Sequence, residues 1–380
     1  MPAAFDLVRI FPNRPLTKAR ADPVSIAAQA RAYARAGVRV EILAPRWRVL
    51  DGIPFDESAG YFKLPPTVTI RHLGPSLSED LPARLLRLSL ALPPLAAGRR
   101  SGQAVLHYHK DPLALAAARI HRGVHLLELM EMPTKPIARA ALRIADGCVA
   151  GSPALATAVQ QRFPRLRGRV ISIRGGFDPG LAPWGAVDGA QARRTYAIAD
   201  GEQVVCYSGK VGRFSNEVPW ILEAGAGLAL TFIVVGVTDA TEGWLKSLVP
   251  PDCRLIAIRH VPPQTLAEIY GAADLMVSYY ESAHPTLPWI DPGKFPMYLA
   301  SGRPIVAADH PSYADMLQDG VNAALAAPDD PAALNAAYRR VLDDRELADR
   351  LQRAARRTAD ATTIDRRAQQ ILEFAQSLRT

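Results

Sequence analysis

The sequence has 380 residues, of which 49% are hydrophobic and 22% are charged, and its formal net charge is +8. This balance excludes a disordered chain, and the length predicts two globular domains of about 100–200 residues each. No apolar run approaches the roughly 18–20 residues that cross a bilayer, and we expect no signal peptide because the first residues lack a basic segment followed by an apolar one. Three widely spaced cysteines exclude a disulfide framework and a cysteine-based zinc site, and they favour a reducing cytoplasm.

The charge is unevenly distributed along the chain. Residues 1–180 carry 26 Lys and Arg against 13 Asp and Glu, whereas residues 181–380 carry 19 against 24. A basic first half favours an anionic partner, and we expect a membrane surface or a phosphorylated acceptor. Nucleic acid is not expected, because the sequence has no zinc-finger spacing, RNP-like strand or basic strip with interleaved aromatic residues. A soluble protein that is merely rich in arginine remains an alternative.

Short apolar runs alternate with amphipathic stretches in the first half, which predicts parallel strands covered by helices. A helix is expected at Pro23–Ala36, ending at Gly37. The predicted strands are Phe5–Phe11, Val38–Leu43, Thr67–His72, Ala104–His109, Val124–Met130, Gly147–Ala150 and Val170–Ile173.

The same pattern restarts in the second half. The predicted strands are Val204–Ser208, Leu230–Val235, Arg254–Ile258, Leu275–Tyr279 and Pro304–Ala307. The predicted helices are Pro219–Ala224, Pro263–Ala272, Lys294–Ala300 and Ser312–Gln318. Two successive α/β units predict two Rossmann-like domains, in which ligands bind at the carboxyl ends of the strands.

Several motifs resemble those of GT-B glycosyltransferases of the retaining, family 4 type. The run from Lys294 to Ala307 is similar to the signature K-x-x-E-Y-(M/L)-A-x-G-x-P-V-V, and it follows the segment Ala273–Tyr280. Three further segments are similar to motifs of the same family: Tyr207–Lys210, Arg174–Asp178 and Ile144–Ser152. The resemblance covers residues 140–380 well and the first 140 loosely. It implies an α/β GT-B fold with two Rossmann-like domains facing each other across a cleft: residues 1–180 with the C-terminal helix 364–380, and residues 181–363.

The resemblance implies a nucleoside diphosphate sugar bound by the second domain. Lys210 and Arg213 follow a strand where the family grips the phosphates, although Ser215 stands where its second basic residue is expected. The helix that opens at Gly293-Lys294 would direct free backbone N–H groups to the same phosphates. A solvated loop carrying Lys210 and Arg213 is the alternative.

Met297 stands where the family has a glutamate that binds the donor ribose, and methionine is only a weak acceptor. Asp291 or Glu281 is expected to replace it; otherwise the donor is unusual or turnover is lost. Tyr280 is expected to bind the donor, and the segment from Glu281 to Asp291 is expected to lie along the donor sugar. The strand end Arg259-His260-Val261 is expected to hold the base, with an ordinary surface role for His260 as the alternative.

Candidate catalytic residues lie at two strand ends of the first half. Leu106–Asp111 is similar to a family strand end, V-V-H-x-H-D, and alternation places His107 and His109 on one face and Tyr108 on the other. The stretch Leu127–Met132 matches the family's catalytic-region segment but has no histidine, and Glu131 occupies or adjoins the histidine position. We expect Glu131 to act as a general base for inversion or to stabilise an oxocarbenium-like centre. Glu128 and His109 are the other catalytic candidates, and a structural role for the histidines remains open.

The acceptor is expected to bind the first domain. The basic loop with Arg14, Lys18 and Arg20, together with His107, is the predicted acceptor site, and a mobile surface loop is the alternative. Leu81–Arg100 predicts either a helix on anionic lipid or a helix packed on the sheet.

Together these features predict a glycosyltransferase that uses a UDP- or GDP-sugar, without cofactor or metal. The expected acceptor is a saccharide or lipid-linked saccharide in surface polysaccharide or glycolipid assembly, at the inner face of the membrane. A degenerate GT-B protein that binds without transfer and a sugar-nucleotide epimerase are the alternatives.

Overall fold

The computed structural model describes residues 5–12, 21–47, 58–77, 104–110, 114–115, 119, 122–212 and 217–379. The chain forms two compact units. The first unit comprises Met1–Gly176, Pro288–Asp291 and Ile364–Thr380, and the second unit comprises Phe177–Leu287 and Pro292–Thr363. The domain boundary expected from the sequence, after residue 180, lies slightly beyond Gly176, and the sequence places Pro288–Asp291 in the other domain.

The first unit is built on a parallel sheet. Its described strands have the order β3-β2-β1-β4-β5-β6-β7. Their bounds are β1 Leu7–Pro12, β2 Arg39–Trp47, β3 Val68–Leu77, β4 Ala104–His109, β5 Val124–Leu129, β6 Gly147–Ala150 and β7 Val170–Ser172. Apolar clusters cover both faces of this sheet. Because both faces are buried, the strands read as continuous apolar runs in the sequence.

The helices of the first unit include one that follows the second unit in the chain. They are α1 Ala21–Arg35, α2 Ser58–Tyr61, α3 Pro136–Ile144, α4 Pro153–Arg162 and α12 Ile364–Ser377. Ile371 and Phe374 of α12 are buried in the same apolar cluster as Ile26 and Tyr33 of α1. The helix predicted at residues 364–380 is therefore part of the first unit's core.

The second unit contains a parallel sheet with the strand order β10-β9-β8-β11-β12-β13. The strands are β8 Val204–Ser208, β9 Thr231–Val235, β10 Arg254–Ile258, β11 Leu275–Ser278, β12 Ile305–Ala308 and β13 Ala324–Ala326. The helices are α5 Ala190–Thr195, α6 Glu217–Glu223, α7 Asp239–Lys246, α8 Pro263–Ala272, α9 Phe295–Ser301, α10 Pro331–Leu342 and α11 Arg345–Asp360.

The helix predicted at Ser312–Gln318 is wrong. The structure has a short 3₁₀ helix at Pro311–Tyr313, and the chain then turns. The Asn322 side chain accepts a hydrogen bond from the Gln318 N–H and donates one to the Met316 carbonyl, both at 2.8 Å. An asparagine side chain thus satisfies backbone groups that a helix would have paired, as it does in turns.

The ends of β8 and β9 approach each other closely at Gly236. Its φ is +108°, and a Cβ there would overlap the Gly209 carbonyl oxygen. The Gly209 N–H donates a hydrogen bond to the Val235 carbonyl at 3.1 Å. A side chain at position 236 would therefore displace Gly209 from the end of β8.

Within the described part of the chain, no helix has both the length and the apolar character needed to span a membrane. The segment Leu81–Arg100, for which the sequence predicts a lipid-bound or sheet-packed helix, lies outside the described residues.

Candidate functional site

The first unit carries a buried carboxylate near the carboxyl end of β5. Glu128 Oε2 lies 2.7 Å from Nε2 of His107 and 3.2 Å from Nδ1 of His109. Both histidines belong to β4, which pairs with β5, and all three side chains are buried. Tyr108 lies on the opposite face, where its ring stacks on Phe11 at 4.7 Å. The predicted alternation of His107, Tyr108 and His109 is thus confirmed.

An arginine from α12 completes this cluster. Arg367 donates a hydrogen bond from Nη2 to Glu128 Oε1 at 2.8 Å and one from Nη1 to Gln29 Oε1 at 2.5 Å. Glu128 and Arg367 are both nearly inaccessible to solvent. The hydrogen bond that a buried carboxylate accepts from a guanidinium is charge-assisted and therefore strong, and the two charges cancel.

Burial and charge act against each other on the ionisation of Glu128. Burial alone would raise its pKa, but Arg367, His109 and His107 hold the pKa of Glu128 well below its usual value. Burial lowers the pKa of His107, against the opposing effect of Glu128. The cluster is therefore an ionised glutamate, a cationic arginine and a neutral His107.

Hydrogen bonding assigns the proton on the His107 ring. An ionised carboxylate only accepts hydrogen bonds, so the proton of the neutral His107 ring is assigned to Nε2, which lies 2.7 Å from Glu128 Oε2. Its Nδ1 lies 3.2 Å from the hydroxyl of Tyr33, which donates to it. The Tyr33 hydroxyl keeps its proton at neutral pH, and burial raises its pKa further.

A second buried carboxylate, Asp291, lies against the glycines that follow β7. Its Oδ2 accepts a hydrogen bond from the Gly175 N–H at 2.8 Å, and its Oδ1 is 3.7 Å from Arg174 Nη1. Arg174 also donates to the Ile290 carbonyl at 2.7 Å. These bonds explain why Pro288–Asp291 groups with the first unit. Asp291, which the sequence offers as a ribose ligand of the second domain, is engaged by first-unit residues.

We expect Asp291→Asn to remove a pH dependence from the stability of the protein. Burial raises the pKa of Asp291 from 3.8 to about 6, and Arg174 and Gly175 only partly oppose the rise. Because the folded pKa exceeds the unfolded one, the contribution of Asp291 is most favourable below about pH 4 and is lost as the pH rises through about 6. The rise in pKa corresponds to about 3 kcal/mol between the two protonation states.

Urea unfolding of both proteins across this pH range measures the difference. The asparagine oxygen still accepts from the Gly175 N–H, so the amide is a close structural match. Stability of Asp291→Asn relative to the wild type should rise from about pH 4 to 7. A pH-independent difference would contradict the raised pKa.

The second unit holds a nearly buried lysine where β8 and β11 end. Lys294 precedes α9, and its Nζ donates a hydrogen bond to Glu217 Oε2 at 2.8 Å. The same oxygen accepts from Ser278 Oγ at 3.2 Å. The Lys294 ammonium lies 4.3 Å from the centre of the Tyr207 ring and 5.1 Å from that of Tyr280.

Gly209, directly after β8, leaves space for this ammonium group. A Cβ on Gly209 would lie 3.3 Å from Lys294 Nζ and 2.8 Å from the Tyr207 hydroxyl. Two tyrosines hold the last residue of β8. The Ser208 N–H donates to the Tyr298 hydroxyl at 2.9 Å, and Ser208 Oγ lies 2.5 Å from the Tyr270 hydroxyl. Lys294 is thus held between aromatic rings at a rigid strand end.

The other predicted donor residues have differing exposure. Lys210 and Gly293 are exposed, Val261, Glu281 and Met297 are half-buried, and Tyr280 is buried. Arg259 and His260 are exposed at the end of β10, and Arg259 forms an ion pair with Asp239. Lys294 and Tyr280 are brought together with Glu217, whereas Asp291 belongs to the first unit.

The remaining predicted residues are placed as follows. Glu131 is exposed in the turn after β5, and His109 and Glu128 are buried. The predicted ligands Arg213, Arg14, Lys18 and Arg20 lie outside the described residues.

Four residues of these clusters lie in no local motif and could not be predicted from the sequence: Arg367, Glu217, Gln29 and Tyr33. One signal for Arg367 exists in α12: this arginine lies on the helix face that is otherwise formed by buried apolar residues.

In the described segments, no group of three His, Cys, Asp or Glu side chains is arranged to hold a metal ion. Around Glu128, the histidine nitrogens and Arg367 lie at hydrogen-bonding distances from the carboxylate. Independence from metals remains a prediction.

Comparison with known proteins gives one family match and a set of similar structures. Residues 202–344 match the sequence model of the family described as Glycosyl transferases group 1. No curated protein sequence matches the chain significantly. A glycosyltransferase from Rickettsia africae ESF-5 superposes with a TM-score of 0.74 at 12% identity, with 98% of each chain covered.

For two further similar proteins, a bound ligand or a biosynthetic process is known. HepE from Anabaena, in complex with UDP and glucose, has a TM-score of 0.70 and 18% identity over 98% of this chain and 99% of that one. HepE has also been solved with UDP-glucose. WaaG, a glycosyltransferase involved in lipopolysaccharide biosynthesis, has a TM-score of 0.66 and 13% identity over 97% and 99%. The two α/β units therefore have the fold of GT-B glycosyltransferases, and residues 202–344 of the second unit are similar to the family described as Glycosyl transferases group 1.

Proposed function

We propose that this protein transfers a sugar from a nucleoside diphosphate sugar, with UDP or GDP as the nucleotide, to a hydroxyl group of a saccharide or lipid-linked saccharide. The second unit binds the donor, and the first unit binds the acceptor. The reaction needs no metal, because side-chain cations neutralise the departing diphosphate.

The observation that carries the proposal is the position of Lys294 within the matched family domain. Its ammonium group lies at the carboxyl ends of β8 and β11, where ligands bind in parallel α/β sheets. The rings of Tyr207 and Tyr280 shield it from water, which strengthens its attraction to a phosphate. Lys210 lies just after the end of β8 and is exposed, as an additional cation for the diphosphate.

The acceptor side rests on the charge of the first half and on similarity. Residues 1–180 have twice as many Lys and Arg as Asp and Glu. Such a surface attracts an acceptor that carries phosphate on a lipid and favours peripheral binding to an anionic membrane. WaaG, with the same fold, acts in lipopolysaccharide biosynthesis. We propose surface polysaccharide or glycolipid assembly as the process.

Isothermal titration calorimetry with UDP, GDP, ADP, CMP and dTDP tests the donor assignment. Each titration is run with a chelator and again with magnesium. We expect micromolar binding of one nucleoside diphosphate without metal, and no binding of the others at comparable concentrations. Binding of none would contradict the proposal, and binding that requires magnesium would contradict its metal independence.

Transfer is then distinguished from binding alone. The matching sugar nucleotide is incubated with the protein, with and without membrane extract, and release of the diphosphate is followed. Release that depends on the extract supports transfer to a lipid-linked acceptor. Tight binding without release would indicate a protein that has lost turnover, in line with the departure at Met297.

A further inference from the structure

We propose that Glu217 is a specificity-determining residue of the site around Lys294: its carboxylate holds the ammonium group in the free protein and takes up one proton from solvent when a diphosphate binds there. The diphosphate as ligand rests on the proposed function. The competition for Lys294 rests only on contacts within the second unit.

One ammonium group serves the buried carboxylate of Glu217. Lys294 Nζ donates to Glu217 Oε2 at 2.8 Å, and the two side chains expose only 11% and 9% of their surface. Within the described part of the chain, Lys294 is the only cation that lies within 4.0 Å of this carboxylate. The positive charge that attracts a phosphate is therefore already balanced in the free protein.

A phosphate bound to Lys294 must come close to the same carboxylate. A phosphate oxygen that accepts from an ammonium lies about 2.8 Å from the nitrogen, so it comes within about 6 Å of Glu217 Oε2. The rings of Tyr207 and Tyr280 shield this space from water, which strengthens the repulsion between the two anions. A nearby like charge favours the neutral form of an acid.

Glu217 is the group that becomes neutral. A diphosphate esterified at both ends, as in UDP-glucose, is the anion of a strong acid and stays ionised near neutral pH, whereas a carboxylate is the stronger base. The other titratable groups that interact with Glu217 are buried tyrosines. Burial above all, and the charge of Glu217 in addition, raises the pKa of each of them, so these hydroxyls keep their protons: Tyr207, Tyr280, Tyr298 and Tyr313.

The hydrogen bonds around Glu217 fit both of its forms. Ser278 Oγ lies 3.2 Å from Glu217 Oε2 and donates to the ionised carboxylate. A hydroxyl both donates and accepts, so Ser278 accepts from the protonated acid when its own hydrogen turns away. Tyr280, which is hydrogen-bonded to Ser278, then receives that hydrogen. Protonation of Glu217 thus reverses these hydrogen bonds without breaking them.

The result is selectivity for the charge of the ligand. A neutral ligand such as uridine leaves Lys294 with Glu217 and needs no proton. A diphosphate binds together with a proton, so its affinity is highest at low pH and falls as the pH rises. One fully linked proton changes the dissociation constant by up to about tenfold per pH unit.

Calorimetric titration with UDP-glucose counts the protons directly. UDP-glucose is the probe because, unlike UDP, it has no terminal phosphate that titrates near pH 6. Binding is measured with a chelator in PIPES and in imidazole, whose enthalpies of ionisation differ, and the dependence of the observed enthalpy on the buffer gives the number of protons. We expect the wild type to take up as many as about one proton per ligand and Glu217→Gln to take up none. If the nucleotide screen selects GDP, GDP-glucose is the probe.

Affinity measured from about pH 5.5 to 8 provides the second readout. The wild type should bind progressively more weakly as the pH rises, whereas Glu217→Gln should bind equally at every pH and more tightly than the wild type at the alkaline end. Glu242→Gln is the matched control, because Glu242 pairs instead with exposed Lys246 on α7, and it should behave as the wild type.

The outcomes separate the role of Glu217 from the proposed function. Binding of the sugar nucleotide without proton uptake by the wild type, or with equal uptake by Glu217→Gln, would overturn the role of Glu217 and leave the proposed function standing. Should Glu217→Gln not fold, the double variant with Lys294→Met, which buries neither charge, replaces it and should bind without proton uptake. Binding of no nucleotide would contradict the proposed function and the role of Glu217 together.

Discussion

Replacing Lys294 with methionine and Glu217 with glutamine together is expected to weaken binding of the cognate nucleoside diphosphate by about 100-fold. A hydrogen bond between an ammonium and a phosphate oxygen contributes roughly 1.5–3 kcal/mol, and each 1.4 kcal/mol is tenfold in affinity. The upper part of that range applies because Tyr207 and Tyr280 shield Lys294. Calorimetry on the double variant measures the loss.

Both members of the pair are changed because each depends on the other. Lys294 alone cannot be removed cleanly, since Glu217 would stay buried without its cation, which costs about 3–5 kcal/mol of stability. In the double variant, the glutamine that replaces Glu217 is neutral and needs no buried cation beside it.

Two single variants serve as controls. Glu217→Gln keeps Lys294 and frees it from its carboxylate, so it should bind the nucleotide at least as tightly as the wild type. Lys246→Met removes an exposed lysine that pairs with Glu242 on α7, and it should leave binding unchanged. Wild-type affinity in the double variant would move the diphosphate site away from Lys294.

Arg367→Met is expected to destabilise the protein by about 3–5 kcal/mol at neutral pH, because it leaves the Glu128 carboxylate buried without a counter-charge. Urea unfolding followed by circular dichroism measures the change. Arg35→Gln breaks an exposed ion pair between α1 and α12 and should cost no more than about 1 kcal/mol.

The pH dependence separates loss of charge balance from loss of packing. Arg367 and the histidines hold the pKa of Glu128 below its unfolded value, so their stabilisation is present above about pH 4.3 and is lost as the pH falls through the folded pKa. The cost of Arg367→Met should therefore shrink in acid. The double variant with Glu128→Gln should recover much of the loss at neutral pH. An equal cost at every pH would assign the effect to packing.

Elements with strong apolar runs could be predicted from the sequence. β4, β8, β10 and α8 have the predicted bounds. For β4 and β8 the reason is that each is a fully buried apolar run. The alternation in β4 was sufficient to place both histidines on one face. The helix expected at Ser312–Gln318 failed because Asn322 satisfies the backbone there through its side chain.

The candidate site was predictable only where a local motif exists. Lys294 lies in a recognisable signature, but its carboxylate partner is 77 residues away. Glu128 and Arg367 are separated by 239 residues, and neither one indicates the other in the sequence. The sequence favoured Glu131 over Glu128, but it could not show that Glu128 is buried against two histidines and Arg367 while Glu131 is exposed after β5. Asp291 was placed with the wrong unit because its bonds to Gly175 and Arg174 span a long sequence separation.

The placement of α12 in the first unit has a consequence for synthesis on the ribosome. All residues of the second unit precede Ile364, whereas the first unit needs α12 to cover Tyr33 and to balance Glu128. The nascent first unit therefore stays incompletely folded while the second unit is translated and folds. During that time the apolar face around Tyr33 is uncovered and the Glu128 carboxylate lacks Arg367. Translation that stops before residue 364 leaves a polypeptide whose second unit is complete and whose first unit is a substrate for chaperones and proteases.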